Sequence, residues 1–250
     1  MNENYALLII FVLLLVWEYK LPRRADIKAE LRWPANFGLT LLTLIIHYFV
    51  ITSVNNLSII DFSVLPLSTL LPYPLYVVCG IIALDAFMYL LHRVSHRYLI
   101  LWHLHKVHHS DPEIDISTNF RHHPLEYLWG GIMLYLFMRI FDIDIYTLVL
   151  YSFCSQVIQL WHHSNIHVPV NIDKQLAKVF ITPKVHLVHH SLVVKESNSN
   201  FGTMFSFWDR MFSTFHDPVL TPDIEKFGIA NFSDDSNQSL KSLLIQPFKK

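Results

Sequence analysis

Two short stretches of this chain carry the same histidine pattern. "HKVHHS" holds His105, His108 and His109, and "HLVHHS" holds His186, His189 and His190. Residues at i, i+3 and i+4 share one face of a helix, so each stretch presents three imidazoles to one side. "LHRVSH" adds His92 and His96 at i, i+4. "HHSNIH" adds His163 and His167 at the same spacing, with His162 offset from His167 by five and therefore secondary. One face with three imidazoles cannot saturate a metal ion. Two such faces, each joined by an i, i+4 pair, can enclose two ions. The candidate ligands are His92, His96, His105, His108, His109, His163, His167, His186, His189 and His190. Imidazole suits iron, zinc, copper and nickel. Redox chemistry would require iron or another redox metal, because zinc does not change oxidation state.

The rest of the composition agrees with a metal site in an apolar chain. Of 250 residues, 52% are hydrophobic and only 16% charged, below the roughly 25% charged of a typical soluble domain. There are 16 histidines, and all but His47 and His216 fall between His92 and His123 or between His162 and His190. His47 and His216 read as non-ligands, while His103 and His122 stay open between ligand and ordinary polar residue. The net charge of −1 and the lack of a basic helix face argue against a nucleic-acid partner. Cys79 and Cys154, each inside an apolar run, read as small buried hydrophobes.

The elements that must position these histidines are apolar helices. Five runs stand out: Tyr5 to Trp17, Phe37 to Val54, Pro74 to Leu91, Tyr127 to Phe141 and Ile145 to Trp161. The first is short for a span, and the last two, joined by "DID", fit either two spans or a re-entrant hairpin. The expected fold is an all-α integral membrane protein with about four to five transmembrane or re-entrant helices and a cytoplasmic histidine-rich helical cap. If all five runs cross, residues 1–4, 55–73 and 142–144 lie on one side and contain no Lys or Arg, whereas 18 of the 19 basic residues lie on the other. Arg139 is the exception and can snorkel. Positive residues mark the cytoplasmic side. The N-terminus is therefore expected outside, with the histidines on the cytoplasmic face of a membrane, a bacterial inner membrane being the expected location. The expected division is residues 1–36 as a first transmembrane helix and basic linker, 37–215 as the membrane-embedded catalytic domain, and 216–250 as a cytoplasmic tail that is either a cap or partly ordered.

With these blocks in order, the chain resembles the fatty acid hydroxylase/sterol desaturase superfamily of membrane-bound histidine-box enzymes, in its bacterial sterol desaturase form. The resemblance is carried by "DAFMYLLHRVSH", "LWHLHKVHHSD", "TNFRHHPLE", "WHHSNI", "TPKVHLVHHS" and "SNFGTMFSFWDRMFSTF". It covers roughly Asp85 to Phe215. It implies an oxygen-dependent enzyme with two non-haem iron ions, zinc being possible in purified protein. Such an enzyme attacks an unactivated C–H bond of a membrane lipid by hydroxylation or desaturation. Electrons would come from a separate reductase, ferredoxin or b-type cytochrome. The chain departs from the family pattern twice. "NSNFG", Asn198 to Gly202, stands where Asp-Ser-Asn-Tyr-Gly is common, and Ser213 stands where Gly is common.

Supporting residues are expected around the ligands. Asp85 lies two helical turns before His92 inside an apolar run, where a carboxylate is costly and functional by default. It would accept the free N–H of a ligand histidine, or else pair with Arg93 or Arg121. His123, His162, Asn165 and Asn200 are further candidates for this outer layer. Pro124 and Glu126 read as a helix start, with the acid complementing the dipole. Two alternatives remain: a membrane metal- or haem-binding or transport protein, and a zinc hydrolase. The hydrolase lacks any His-Glu dipeptide.

Overall fold

The computed structural model describes residues 3–54, 64–220 and 226–249. The expected external segment 55–73 therefore lies partly outside the described residues, as does part of the tail. Among the described residues there are helices and three isolated bridges but no strand. The long helices are α1 (Glu3–Lys20), α2 (Arg32–Val54) and, after the single turn α3 (Leu67–Leu70), α4 (Tyr73–Arg97). α5 (Leu99–His109) follows at once, then a 3₁₀ turn over Ile116–Phe120, α6 (Pro124–Phe141) and α7 (Ile145–His163). The remaining helices are short: α8 (Val170–Leu176), α9 (Pro183–His189), α10 (Val194–Ser197), α11 (Phe207–Met211) and α12 (Leu240–Ile245).

Each apolar run of the sequence has become a helix. Within α2, Arg32–Val50 is long and apolar enough to cross a membrane, as is the whole of α4. At 1.5 Å per residue, the 18 residues of α6 reach about 27 Å and the 19 of α7 about 28 Å. The helices leave large hydrophobics facing outward, including Leu13 and Val16 on α1, Leu41 and Leu44 on α2, and Val78 on α4. Exposed apolar side chains along several long helices are what a lipid-facing surface requires.

Local chemistry sets where the helices start and stop. Pro124 occupies the first position of α6, and Nδ1 of His123 accepts the Leu125 N–H at 3.2 Å as its cap. Asp144 caps α7 through the Thr147 N–H, and Thr182 caps α9 ahead of Pro183. α5 ends at His109, and Arg121 reaches back to its final turn, donating from Nε to the Val107 carbonyl at 2.8 Å and from Nη2 to Ser110 Oγ at 2.9 Å. α4 and α7 approach closely at Gly80, where an added Cβ would lie 2.8 Å from Thr147 Cγ2. Any larger residue there would force the two helices apart, typically at about 1–3 kcal/mol.

The polar layer beside the histidines is tied down by buried ions. Arg32, at the start of α2, donates to Asp111 at 2.5 and 3.0 Å and to Asp115 at 2.8 Å. All three side chains are buried, and the pairing satisfies charges that would otherwise be costly. The described part of the tail packs onto this layer. Leu243 is buried against Val107, Gln246 accepts from Ser110, and Gln238 accepts from Arg121.

Candidate metal centre

α4 ends by delivering His92 and His96 on one face. After the extended residue Tyr98 the chain reverses, and α5 lays His105 and His109 against them. Together with His189 of α9 these form one group, whose donor nitrogens all lie within 4.8 Å of one another. His108, His163, His186 and His190 form a second group within the same limit. The repeated motif thus splits between the groups in opposite senses. In the first copy the i, i+4 pair His105 and His109 enters the first group, and His108 enters the second. In the second copy the pair His186 and His190 enters the second group, and His189 enters the first. The reason is helical: residues four apart stack, while the one at i+3 is rotated toward the neighbouring space.

Hydrogen bonds at the far side of the rings fix their orientation. His92 Nδ1 donates to the Phe201 carbonyl at 2.9 Å, His163 Nδ1 to the Gln159 carbonyl at 2.9 Å, and His189 Nδ1 to the Ser199 carbonyl at 2.7 Å. His105 Nδ1 donates to Glu126 Oε1 at 2.6 Å. A carbonyl or carboxylate oxygen only accepts, so each of these rings carries its hydrogen on Nδ1 and leaves Nε2 as a bare lone pair. Yet His92 Nε2 and His105 Nε2 face each other at 3.1 Å. In the second group His163 Nε2 sits 3.2 Å from His108 Nε2 and 2.9 Å from His186 Nε2, which lies 3.0 Å from His190 Nε2. Nε2 of His96, His109 and His189 is buried with no protein partner. Lone pairs gathered this closely repel unless a cation lies among them. Two nitrogens bound at about 2.1 Å to one ion at a right angle would be about 3.0 Å apart, so the donor set fits a metal.

Burial pushes the pKa values of His108, His109, His186, His189 and His190 well below the ordinary 6.5, and the neighbouring imidazoles push the same way. Neutral imidazole is the form that binds metal.

The residues expected from sequence fall into three sets. Nine of the ten expected ligands are gathered into the two groups. His167 is not: α7 ends at His163, the chain turns extended at Ser164, and the His167 side chain is exposed. The i, i+4 reading failed there because the helix does not continue. His162 lies nearer instead, stacked on His186 with ring centroids 4.0 Å apart. Asp85 is buried but touches no histidine and no arginine. It accepts from Tyr151 Oη, the Met204 and Phe205 N–H groups, and Trp208 Nε1. It therefore anchors the 201–208 segment, whose Phe201 carbonyl orients His92. His123 is a helix cap, with Nε2 near the Leu244 carbonyl at 3.3 Å. Asn165 bonds the backbone of Arg24. Asn200, at a left-handed φ of 53°, clamps the Val185 and His216 backbones.

Glu126 is more than a helix start. It receives Nδ1 of both His105, at 2.6 Å, and His122, at 3.3 Å, and His122 stacks on His108 with centroids 4.3 Å apart. Burial alone would raise the Glu126 pKa, but the two imidazoles outweigh it and hold it below the usual carboxylate range. The signal in the sequence was the i, i+4 spacing of His122 and Glu126.

A cavity of about 380 Å³ opens against both groups. His105, His108, His163 and His186 form its floor, and Met88, Leu91, Leu134 and Leu148 form apolar walls.

Helices with an apolar exterior and two adjoining histidine nests under an apolar-walled cavity define, among the described residues, a class: a candidate metal-binding protein with room for an apolar molecule. Comparison with known proteins makes this specific. The fatty acid hydroxylase family model matches residues 77–214. An ornithine lipid hydroxylase of Rhizobium tropici is 31% identical over 183 residues, covering 72% of this chain and 52% of that protein. An alkylglycerol monooxygenase of Caenorhabditis elegans is 31% identical over 131 residues, 52% of this chain and 25% of that protein. A methylsterol monooxygenase 1 of Danio rerio is 31% identical over 149 residues, 54% of this chain and 45% of that protein. The chain thus spans about half the length of the ornithine lipid hydroxylase and less of the two monooxygenases. No solved structure matches it. The chain belongs to the fatty acid hydroxylase family, whose members here are oxidoreductases.

Proposed function

We propose that this protein is an oxygen-dependent lipid hydroxylase whose centre holds two iron ions. The observation that carries the reading is the set of imidazole nitrogens gathered in two groups, most of them buried, under a cavity with apolar walls. His92, His96, His105, His109 and His189 would hold one ion, and His108, His163, His186 and His190 the other. When bound, the pair would supply the activation of O2 and the abstraction of hydrogen from a lipid carbon. The protein's own part is positional. Phe201, Gln159, Ser199 and Glu126 hold the ring hydrogens of His92, His163, His189 and His105 on Nδ1, so Nε2 of these four stays available. The apolar walls take the hydrocarbon of the substrate and keep bulk water from the reacting carbon. Desaturation shares the hydrogen abstraction and is the second outcome, though relatives that are a hydroxylase and monooxygenases favour hydroxylation.

The same reading makes residues 37–215 a membrane-embedded catalytic domain whose long helices α2, α4, α6 and α7, together with α1 before it, cross or enter the bilayer, with the N-terminus outside and the histidines on the cytoplasmic side. Electrons would then come from a separate soluble or membrane-bound donor protein. Reporter fusions after residues 70 and 110 should report opposite sides, and the same side for both would refute the layout. The activity is tested by expressing the full chain in a host under ¹⁸O2 and profiling its lipids. A new lipid carrying one ¹⁸O is expected. Unchanged lipids in the presence of iron-loaded protein and a competent reductase would count against the reading.

A further inference from the structure

The cavity is not apolar on every side. α7 presents Ser155, Gln156, Gln159 and His163 along one face, and α2 contributes His47 from across the space. Most of these polar groups are already satisfied within the protein. Gln159 Nε2 donates to Ser155 Oγ at 2.8 Å, and the Gln159 carbonyl receives His163. Gln156 and His47 differ. Both are half-buried and line the cavity, and neither makes a hydrogen bond among the described residues. His47 meets only the edge of the Tyr127 ring, at 6.3 Å between centroids. Unpartnered amide and imidazole groups in otherwise apolar helices are costly, more so at membrane depth, and such groups mark a ligand path.

The opposite wall leaves room for that ligand. α6 carries Gly130 and Gly131 at the cavity, and a Cβ added to Gly130 would meet nothing within 4 Å. One added to Gly131 would meet only His47 Nε2, at 3.7 Å. The backbone of α6 is thus bare at this part of the cavity. Gln156 stands seven residues before His163, which is two turns or about 10 Å along the helix.

We propose that Gln156 and His47 form a hydrogen-bonding subsite that selects a lipid carrying a carbonyl group, an acyl amide or ester, about 10 Å from the carbon brought to the histidines. The proposal rests on the oxygenase reading for what happens at that carbon, but the subsite itself is a matter of binding. Both side chains can donate to a carbonyl oxygen, and Gln156 can also accept from an amide N–H. A plain hydrocarbon that covered both groups would leave them unpaired, so it should bind about tenfold more weakly or worse.

The test uses the full chain, purified in detergent micelles and loaded with iron. It is titrated separately with a long-chain N-alkyl amide, an alkyl ester and an alkane of matched length. Bound ligand is counted by mass spectrometry after desalting. The expected result is that amide and ester bind at least tenfold more tightly than the alkane. That ratio should fall toward one in Gln156→Met and, independently, in His47→Leu, with iron content retained in both. Equal binding of the three probes by the unmodified chain, binding of none of them, or an undiminished ratio in both variants would overturn the proposal. Failure of the oxygenase reading would appear elsewhere, as absent iron or absent oxidised lipid, and would leave these binding ratios intact.

Discussion

Replacing Glu126 with Gln tests how the first histidine group is held. The carboxylate accepts His105 Nδ1 at 2.6 Å and His122 Nδ1 at 3.3 Å, and it is depressed in pKa by both. A charge-assisted hydrogen bond of this kind contributes about 1.5–3 kcal/mol. Gln keeps one acceptor oxygen and nearly the same shape, but it turns an N–H₂ toward one of the two rings. His105 or His122 must then swap its ring hydrogen or turn away. Loss of about 1.5–3 kcal/mol corresponds to roughly 10–100-fold in metal affinity, which is also the usual cost of removing a partner behind a ligand histidine. The assay is iron per chain across a chelator series, read beside lipid turnover. Glu126→Gln should fold, release iron at 10–100-fold lower chelator strength, and keep a residual rate. Iron affinity equal to that of the unmodified chain would refute the reasoning. Complete loss of iron, equal to that of His108→Ala, would make Glu126 a direct ligand.

Three further outcomes follow from the same geometry. His189→Ala should abolish turnover and lower metal content, while His216→Ala should retain both, because His216 belongs to neither group; metal analysis of the two variants checks this. In metal-stripped protein, burial depresses the pKa values of His108, His109, His186, His189 and His190, so below pH about 6.5 the unfolded chain binds more protons than the folded one. Their stability contribution is complete above that pH and falls as pH drops from about 6.5 toward 5, which thermal unfolding in that window measures; a Tm flat over the range would contradict it. Ser213 holds a left-handed φ of 57°, where a Cβ is strained, so Ser213→Gly should stabilise the fold by about 1 kcal/mol and raise Tm by a few degrees.

The sequence made legible what depends on local periodicity. The i, i+4 pairs His92 and His96, His105 and His109, and His186 and His190 each arrive in one group, because helix geometry alone puts them there. The expected glycine-like character of the Ser213 position also has a local cause, its left-handed backbone. His167 was misread because the pairing assumed a helix that stops at His163. Asp85 was misread for a different reason. Its placement in an apolar run correctly marked it as consequential, but its partners Met204, Phe205 and Trp208 lie about 120 residues away, and no periodicity connects them. The reciprocal split of the two His-x-x-His-His copies likewise follows from how α5 and α9 face each other. Glu126 was visible as a helix start, and its second role appeared only when α6 was packed against α5.

The central claim is that two metal ions sit among these nine histidines, one in each group. Its most direct measurement is a crystal structure of the aerobically purified full chain, with anomalous difference maps collected on either side of the iron absorption edge. Two peaks are expected, one among His92, His96, His105, His109 and His189 and one among His108, His163, His186 and His190, each contacting imidazole Nε2. A single peak shared by both groups, a peak at His167, or no peak in a sample shown to contain iron would contradict the account.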